Sequence, residues 1–282
     1  YPEIGYPNSV ENITTQDVEL FYKNIFRNNE LKIITVGDIA ENEIIELTDR
    51  NNIHSNSTNK YFDFIQPGRS GTNYYFVHKE NSPQAEIRIG HITPKRNEKN
   101  FYAIRIMNSI LGGQFSSRIN LNLREQKGFT YGAGSSFNYN QNSGSFQVST
   151  AVNIQNTGEA VTEIIKELNG IKQNITEEEI KFAKSYLVKQ FPSRFETYSQ
   201  TANNISPLLT HNLPIDYYKN YTQKLEDVKS EEIINAAQEN IGEDNLSILV
   251  VGDKNIIVEL MKKICNENLV ELDIYGNLLQ PV

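Results

Sequence analysis

The sequence predicts a chain of mixed helices and strands, in which strands joined by short turns lead into a mainly helical stretch. Three observations carry this reading. Apolar and aromatic runs at about 73–79, 84–92, 129–139 and 145–152 have strand length, and Asn, Ser, Gly or Pro residues separate them. From about residue 158 the pattern turns mainly helical, with Thr, Gly and Pro as punctuation. A helix–strand–Gly-Asp–helix pattern occurs twice, near the start and near the end.

Taken in order, residues 1–9 carry Pro, Gly and Asn and read as a surface lead-in. Thr14 caps a helix through about Arg27, with Asp17 placed to close a capping box. Glu30 to Val36 reads as a short apolar strand ended by Gly37-Asp38, and a helix follows over about 41–50. Residues 51–71, rich in Asn and Ser and containing Pro67-Gly68, read as a linker. The strands at 73–79 and 84–92 are joined by a turn around Asn81 to Pro83. A helix over 98–111 sets Tyr102, Ile106 and Ile110 on one face. Strand 129–139 pairs with 145–152 as a hairpin across Asn140 to Gly144. Helices then cover about 158–171, 176–191 (capped by Thr176 and Glu179), 197–210, 215–225 and 230–240. A strand at 245–251, Gly252-Asp253 and a helix through Ile264 complete the series.

The repeat sharpens the domain reading. Residues 10–38 align without a gap onto 225–253, so that Val18 falls on Ile233, Leu31 on Leu246 and Gly37-Asp38 on Gly252-Asp253, an offset of 215 residues. A period that long indicates tandem domains of about two hundred residues and not a solenoid. On this reading residues 1–50 are the tail of a first half-domain whose body is absent, 51–71 a linker, and 72–282 a complete second half-domain.

A hydrophobic share of 38% with 22% charged residues is that of an ordinary globular protein. The net charge of −8 argues against a nucleic-acid partner, because phosphate binding needs a basic face. No apolar run is long enough to span a bilayer, and no signal pattern opens the chain. The single cysteine, Cys265, excludes an internal disulfide and a cysteine zinc site.

The stretch of densest chemical content is Leu111 to Tyr139, LGGQFSSRINLNLREQKGFTYGAGSSFNY. A helix stops at Gly112-Gly113, and Ser116 and Ser117 offer caps for the next one. That helix carries Ile119, Leu121 and Leu123 with Arg124 near its end, and Gly128 stops it. Arg124 and Tyr131 can converge across the Gly128 reversal, where a guanidinium fork and a phenol would suit the carbonyl oxygens of an extended peptide or a developing oxyanion. The plainer alternative is a cation complementing a helix dipole and an ordinary strand tyrosine.

Gly112-Gly113-x-Phe115-Ser116-Ser117-Arg118, followed by Leu123-Arg124-Glu125-x-Lys127-Gly128-x-Thr130-Tyr131, resembles the pitrilysin/insulinase/mitochondrial processing peptidase family of inverted zincins. The resemblance extends over essentially the whole chain. It implies an α+β fold, a mostly antiparallel sheet with helices packed on one face, and identifies the chain with the C-terminal, non-metal-binding half of a two-half zinc peptidase. Arg124 and Tyr131 match the family's Arg and Tyr, seven residues apart, which touch the substrate near the scissile bond. Zinc would then belong to the parent enzyme and no cofactor to this chain, whose partners would be a peptide substrate and an N-terminal catalytic half or partner subunit. A scaffold or partner subunit without peptidase activity is the rival that the same resemblance supplies.

Other constellations read as structural. His54, His78, His91 and His211 lie too far apart for H-x-x-E-H in either orientation, so no metal site is expected. The Gly-Gly loop lacks the Lys-Ser/Thr of a phosphate loop, and no G-x-S-x-G elbow marks a nucleophilic serine. Glu177, Glu178 and Glu179 read as a solvated helix start, and the Asn-x-Ser/Thr match at Asn56 as chance. Residues 1–50 should bury Val18, Phe21 and Ile25 on a substitute surface, either residues 72–282 or a second copy of the chain. For so Asn- and Ile-rich a chain, a bacterial periplasmic or cell-envelope location is the expectation.

Overall fold

The structure, a computed structural model, describes residues 4–26, 31–50, 71–242, 245–265 and 268–279. The chain forms two compact units, one of Tyr1–Ile65 with Pro192–Leu213 and one of Gln66–Phe191 with Pro214–Val282. The expected linker falls outside the described residues except for Gly71, as do His54 and Asn56.

In the first unit, α1 (Pro7–Glu11) precedes α2 (Thr15–Phe21), which widens into a π turn over Tyr22–Phe26. The capping box is present: the Asp17 carboxylate accepts from the Thr14 N–H at 2.9 Å, and the Thr14 hydroxyl accepts from the Asp17 N–H at 3.2 Å. Residues 31–36, expected as a strand, join no described ladder, because extended backbone becomes a strand only when a neighbour takes up its N–H and C=O groups. Helix α3 (Glu41–Arg50) follows the Gly37-Asp38 bend. Helix α8 (Tyr198–Thr210) also belongs to this unit, with a Thr197/Gln200 capping box.

The second unit is built on a six-stranded sheet of β1 (Asn73–His78), β2 (Gln84–Thr93), β3 (Ala133–Tyr139), β4 (Gly144–Asn153), β5 (Ser247–Gly252) and β6 (Leu269–Leu272), in the order β3-β4-β2-β5-β1-β6. The hairpin β3–β4 forms as expected. Strands β1 and β2 are joined by a turn but do not pair; β5 lies between them, parallel to β1 and antiparallel to β2. β6, which the sequence pattern did not announce, adds parallel to the far side of β1. Three of the five pairings are antiparallel.

Strict alternation makes one sheet face the core. Ile87 and Ile89 of β2, Phe146, Val148 and Val152 of β4, and Ile248 and Val250 of β5 are buried, whereas Glu86 of β2 is exposed. Register aligns these residues into rows, Phe76–Val250–Ile87 being one of them. Helices α4 (Phe101–Leu111), α6 (Thr157–Gln173) and α11 (Lys254–Cys265) pack on the sheet, with α7 (Glu177–Gln190), α9 (Tyr221–Asp227) and α10 (Ser230–Asn240) among the same helical layer. Helix α6 buries Ala160, Val161, Ile164, Leu168 and Ile171 at helical spacing. Each large aliphatic among them contributes about 1.5–3 kcal/mol. Helix α4 starts at Phe101, later than expected, because the Asn97 side chain turns the chain by accepting from the Lys99 N–H.

Candidate functional site

The Gly-Gly loop is a close approach of backbone to backbone. A Cβ on Gly112 would sit 2.5 Å from the Ser135 nitrogen, and that Ser135 N–H donates to the Gly112 carbonyl at 2.9 Å. Asn108 clamps the same point, donating to the Ser135 carbonyl at 3.0 Å and accepting from the Ser135 hydroxyl at 2.7 Å. The glycines therefore fasten the end of α4 to β3.

The helix after them differs from expectation. Ser117 stands at the N-cap position, but its buried hydroxyl makes no capping bond. Only Arg118–Asn120 is α-helical (α5), and Leu121–Gln126 forms a π turn, so Arg124 stands on a wide turn instead of a regular last turn. Gly128, at φ 66°, reverses the chain as expected, and the Phe129 N–H closes the end on the Leu123 carbonyl at 2.8 Å.

Arg124 is half-buried, with its guanidinium carbon 4.4 Å from the centre of the exposed Phe115 ring. Its nearest carboxylate oxygen, on Glu125, is 3.6 Å away, too far for a strong bond. Tyr131 is 92% exposed. Its backbone is nevertheless pinned on both sides. The Thr130 hydroxyl donates to the Gly132 carbonyl at 2.9 Å, the Thr150 hydroxyl lies 3.0 Å from both, and Asn120 accepts from the Ala133 N–H at 2.9 Å. A fixed turn thus carries an aromatic ring into solvent, and the described residues give its hydroxyl no bond.

Below this block the polar groups are paired. Asn122, buried on the π turn, donates to Glu163 at 2.9 Å and Glu167 at 2.7 Å. The Asn122 bond, aided by Lys166 and Lys127, holds the Glu163 carboxyl down to about 2. Lys127, bonded to Glu159 and Glu163, is pushed above the usual lysine range. Arg118 forks onto Glu179 at 2.6 and 2.8 Å and reaches the Asn174 carbonyl at 2.6 Å. Glu179 is thus an ion-pair partner as well as the Thr176 cap, and not merely a solvated first-turn acid. Burial opposes its ionisation, but Arg118 and Thr176 hold its carboxyl below the ordinary value. The sequence reading gave no role of its own to Phe115, Asn120 or Asn122. Two asparagines within a helix that otherwise buries apolar residues were the available signal, since buried amides need partners.

The histidines among the described residues do not fit a metal. His78 Nδ1 accepts from the Lys254 N–H at 3.1 Å, and His91 Nε2 accepts from the Gly242 N–H at 3.2 Å. Burial pushes the His91 imidazole below its usual range. No group of three or more His, Cys, Asp or Glu among the described residues could hold a metal ion. No helix of the described residues is long and apolar enough to cross a membrane.

Comparison with known proteins bears on this geometry. The chain is 23% identical over 264 residues to a Helicobacter pylori protein named the non-peptidase homolog YmxG, covering 89% of this chain and 58% of that one. It is also 23% identical over 246 residues to the zinc protease PqqE of the same organism, covering 84% and 54%. The chain therefore spans a little over half the length of these curated relatives. The crystal structure of a peptidase M16 inactive domain from Pseudomonas fluorescens superposes with a TM-score of 0.78 at 19% identity, covering 90% of this chain and 61% of that one. The family described as the peptidase M16 inactive domain matches residues 12–187, well over half the chain, and the chain belongs to that family.

Proposed function

We propose that this chain is the substrate-contacting, non-catalytic half of a two-half zinc endopeptidase. Arg124 holds a backbone carbonyl of the peptide, and Tyr131 donates to the peptide or to the oxyanion formed on attack. The observation that carries this reading is Tyr131, 92% exposed on a turn fixed by hydrogen bonds at Thr130, Gly132 and Ala133. A phenol presented to solvent on a fixed turn needs little reorganisation to serve a transition state. Stacking on Phe115 limits the guanidinium's freedom while leaving its N–H groups for an acceptor. On this reading a zinc ion, if bound, would be held by an N-terminal half or a partner subunit and would supply Lewis-acid activation there.

The test is kinetic and uses the chain together with its catalytic half. Tyr131→Phe removes one hydroxyl without a cavity and should lower kcat by about a hundredfold, with thermal unfolding unchanged. Arg124→Ala should raise KM and lower kcat together. Wild-type kinetics in both variants would leave the second reading, a scaffold or partner subunit without peptidase activity, which the non-peptidase relative favours. A further expectation concerns residues 1–50, where Val18 is 58% and Leu20 48% exposed. Their partner is the catalytic half or a second copy of the chain, so deleting 1–50 should change the molar mass seen by light scattering. An unchanged mass would count against that pairing.

A further inference from the structure

A single buried side chain ties the support of Arg124 to the turn that carries Tyr131. Asn120, the last residue of α5, is only 4% exposed. Its Oδ1 accepts from the Ala133 N–H at 2.9 Å, and its Nδ2 donates to the Phe115 carbonyl at 2.7 Å. Ala133 stands two residues past Tyr131, and the Phe115 ring has the Arg124 guanidinium carbon 4.4 Å from its centre. The two demands are opposite, an acceptor for one and a donor for the other, and the two ends of one carboxamide meet them from a single rigid plane. With water shut out, neither bond has a substitute, so a shift of one segment pulls on the other.

The backbone adds a third tie, because Asn120 leads directly into the π turn Leu121–Gln126 on which Arg124 stands. The two rings are not fixed by burial, since Phe115 is 63% and Tyr131 92% exposed, so their placement comes from the backbone beneath them. On the other side of the Tyr131 turn, the Thr130 and Thr150 hydroxyls hold the Gly132 carbonyl. Among the described residues, Asn120 is the side chain bonded both to the Phe115 loop and to the start of β3. We infer that Asn120 is a positioning residue: its carboxamide sets the Arg124 guanidinium, resting on Phe115, and the Tyr131 phenol in a fixed relation, and acts on a bound peptide through them without touching it. Its kinetic consequence rests on the substrate-contacting role proposed for the Arg124–Tyr131 pair; the coupling rests on the geometry alone.

The first arm of the test needs no catalysis and uses the 282-residue chain. In hydrogen exchange followed by NMR, the Ala133 N–H and the Asn120 carboxamide protons should be protected about tenfold or more and should open together as denaturant is added. Ala133 exchanging like an unstructured amide would overturn the inference, with no variant needed. The Arg124 Nε–H signal should be displaced by the Phe115 ring current, a displacement that Phe115→Leu removes. Asn120→Leu takes away both bonds at similar volume and should remove that displacement and the Ala133 protection together. Asn120→Asp at pH 7 keeps an acceptor but no donor, so it should remove the displacement and keep the protection. Where Asn120→Leu does not fold, Asn120→Asp carries the readout. An Arg124 signal unmoved by these changes would sink the coupling. The second arm is kinetic and uses the chain with its catalytic half. Asn120→Leu should lower kcat about tenfold by itself, but about twofold or less in a chain already carrying Arg124→Ala and Tyr131→Phe, because the groups it places are gone. Equal penalties in both backgrounds would mark a structural loss only and overturn the inference. Wild-type kinetics in Arg124→Ala and Tyr131→Phe would instead remove the substrate-contacting role, and the first arm would still decide the coupling.

Discussion

Residues 10–38 and 225–253 carry one sequence pattern and reach two structures. In the later copy α10 buries Ile233, Ala236 and Ala237, and β5 runs between β1 and β2 with Ile248 fully buried. The earlier copy forms its helix, α2, and its Gly-Asp bend, but its apolar run joins no described ladder. Val18 and Ile33, which match Ile233 and Ile248, are 58% and 49% exposed. The difference teaches what a local pattern is able to specify. A helix satisfies its own peptide groups within four residues, so the pattern suffices; a strand needs neighbours, and the pattern cannot supply them.

Five substitutions, in three groups, would break or sharpen this comparison. The largest effect is expected in the strands. Ile248→Ala should cost about 2–5 kcal/mol in denaturant unfolding, since it opens a cavity in a closed row, whereas Ile33→Ala should stay within about 0.5 kcal/mol. Comparable losses at both positions would show the first copy to be packed in solution as the second is.

An intermediate effect belongs to the Gly-Asp turns. The Asp253 carboxylate accepts from the Asn81 N–H at 3.0 Å and from the Asn255 N–H and side-chain amide at 3.0 Å each, tying the start of α11 to the β1–β2 turn. These bonds, first those from Asn255 and then that from Asn81, hold its carboxyl below the ordinary aspartate value. A depressed carboxyl stabilises the folded chain above the ordinary value, and the contribution is lost as pH falls through and below it. Asp253→Ala should therefore lower the thermal midpoint at pH 7 and flatten its decline below about pH 4. Asp38→Ala, at the matching position in the first copy, should leave the midpoint unchanged. Equal responses of the two variants in a pH-stepped melting series would erase the distinction.

The smallest effect concerns the caps. Thr14 and Asp17 bond reciprocally, whereas at the matching Lys229 only half of the box exists: Glu232 accepts from the Lys229 N–H at 2.8 Å, and a lysine side chain has no acceptor to return. Lys229→Thr should complete the box and stabilise the second unit by about 0.5 kcal/mol, visible as a rise in the denaturation midpoint. No rise would mean that packing already fixes the start of α10.

Much of the candidate site was legible for the same local reasons. Gly128 reverses the chain where expected, and Arg124 and Tyr131 stand on either side of it. The Thr14 and Thr176 caps and the β3–β4 hairpin also follow from residues only a few positions apart. What made Tyr131 a fixed, exposed ring was not legible. That depends on Thr150 and Asn120, and the footing of the block depends on Asn122 with Glu163 and on Arg118 with Glu179. These pairs are polar residues far apart in sequence, and no periodicity announces them.

The sequence by itself determined the capping boxes at Thr14 and Thr176, which strands turn directly into one another, and which two side chains flank the Gly128 reversal. Each of these rests on hydrogen bonds and steric preferences closed within a few residues. Only the tertiary structure decided that β5 enters between β1 and β2, that β6 extends the sheet, and that Leu121–Gln126 widens into a π turn. It also decided that one buried amide, Asn120, holds the loop after α4 to the start of β3. Those outcomes are set by rows of apolar side chains closing over one another and by buried amides and carboxylates finding distant partners, terms that exist only once the whole unit has assembled.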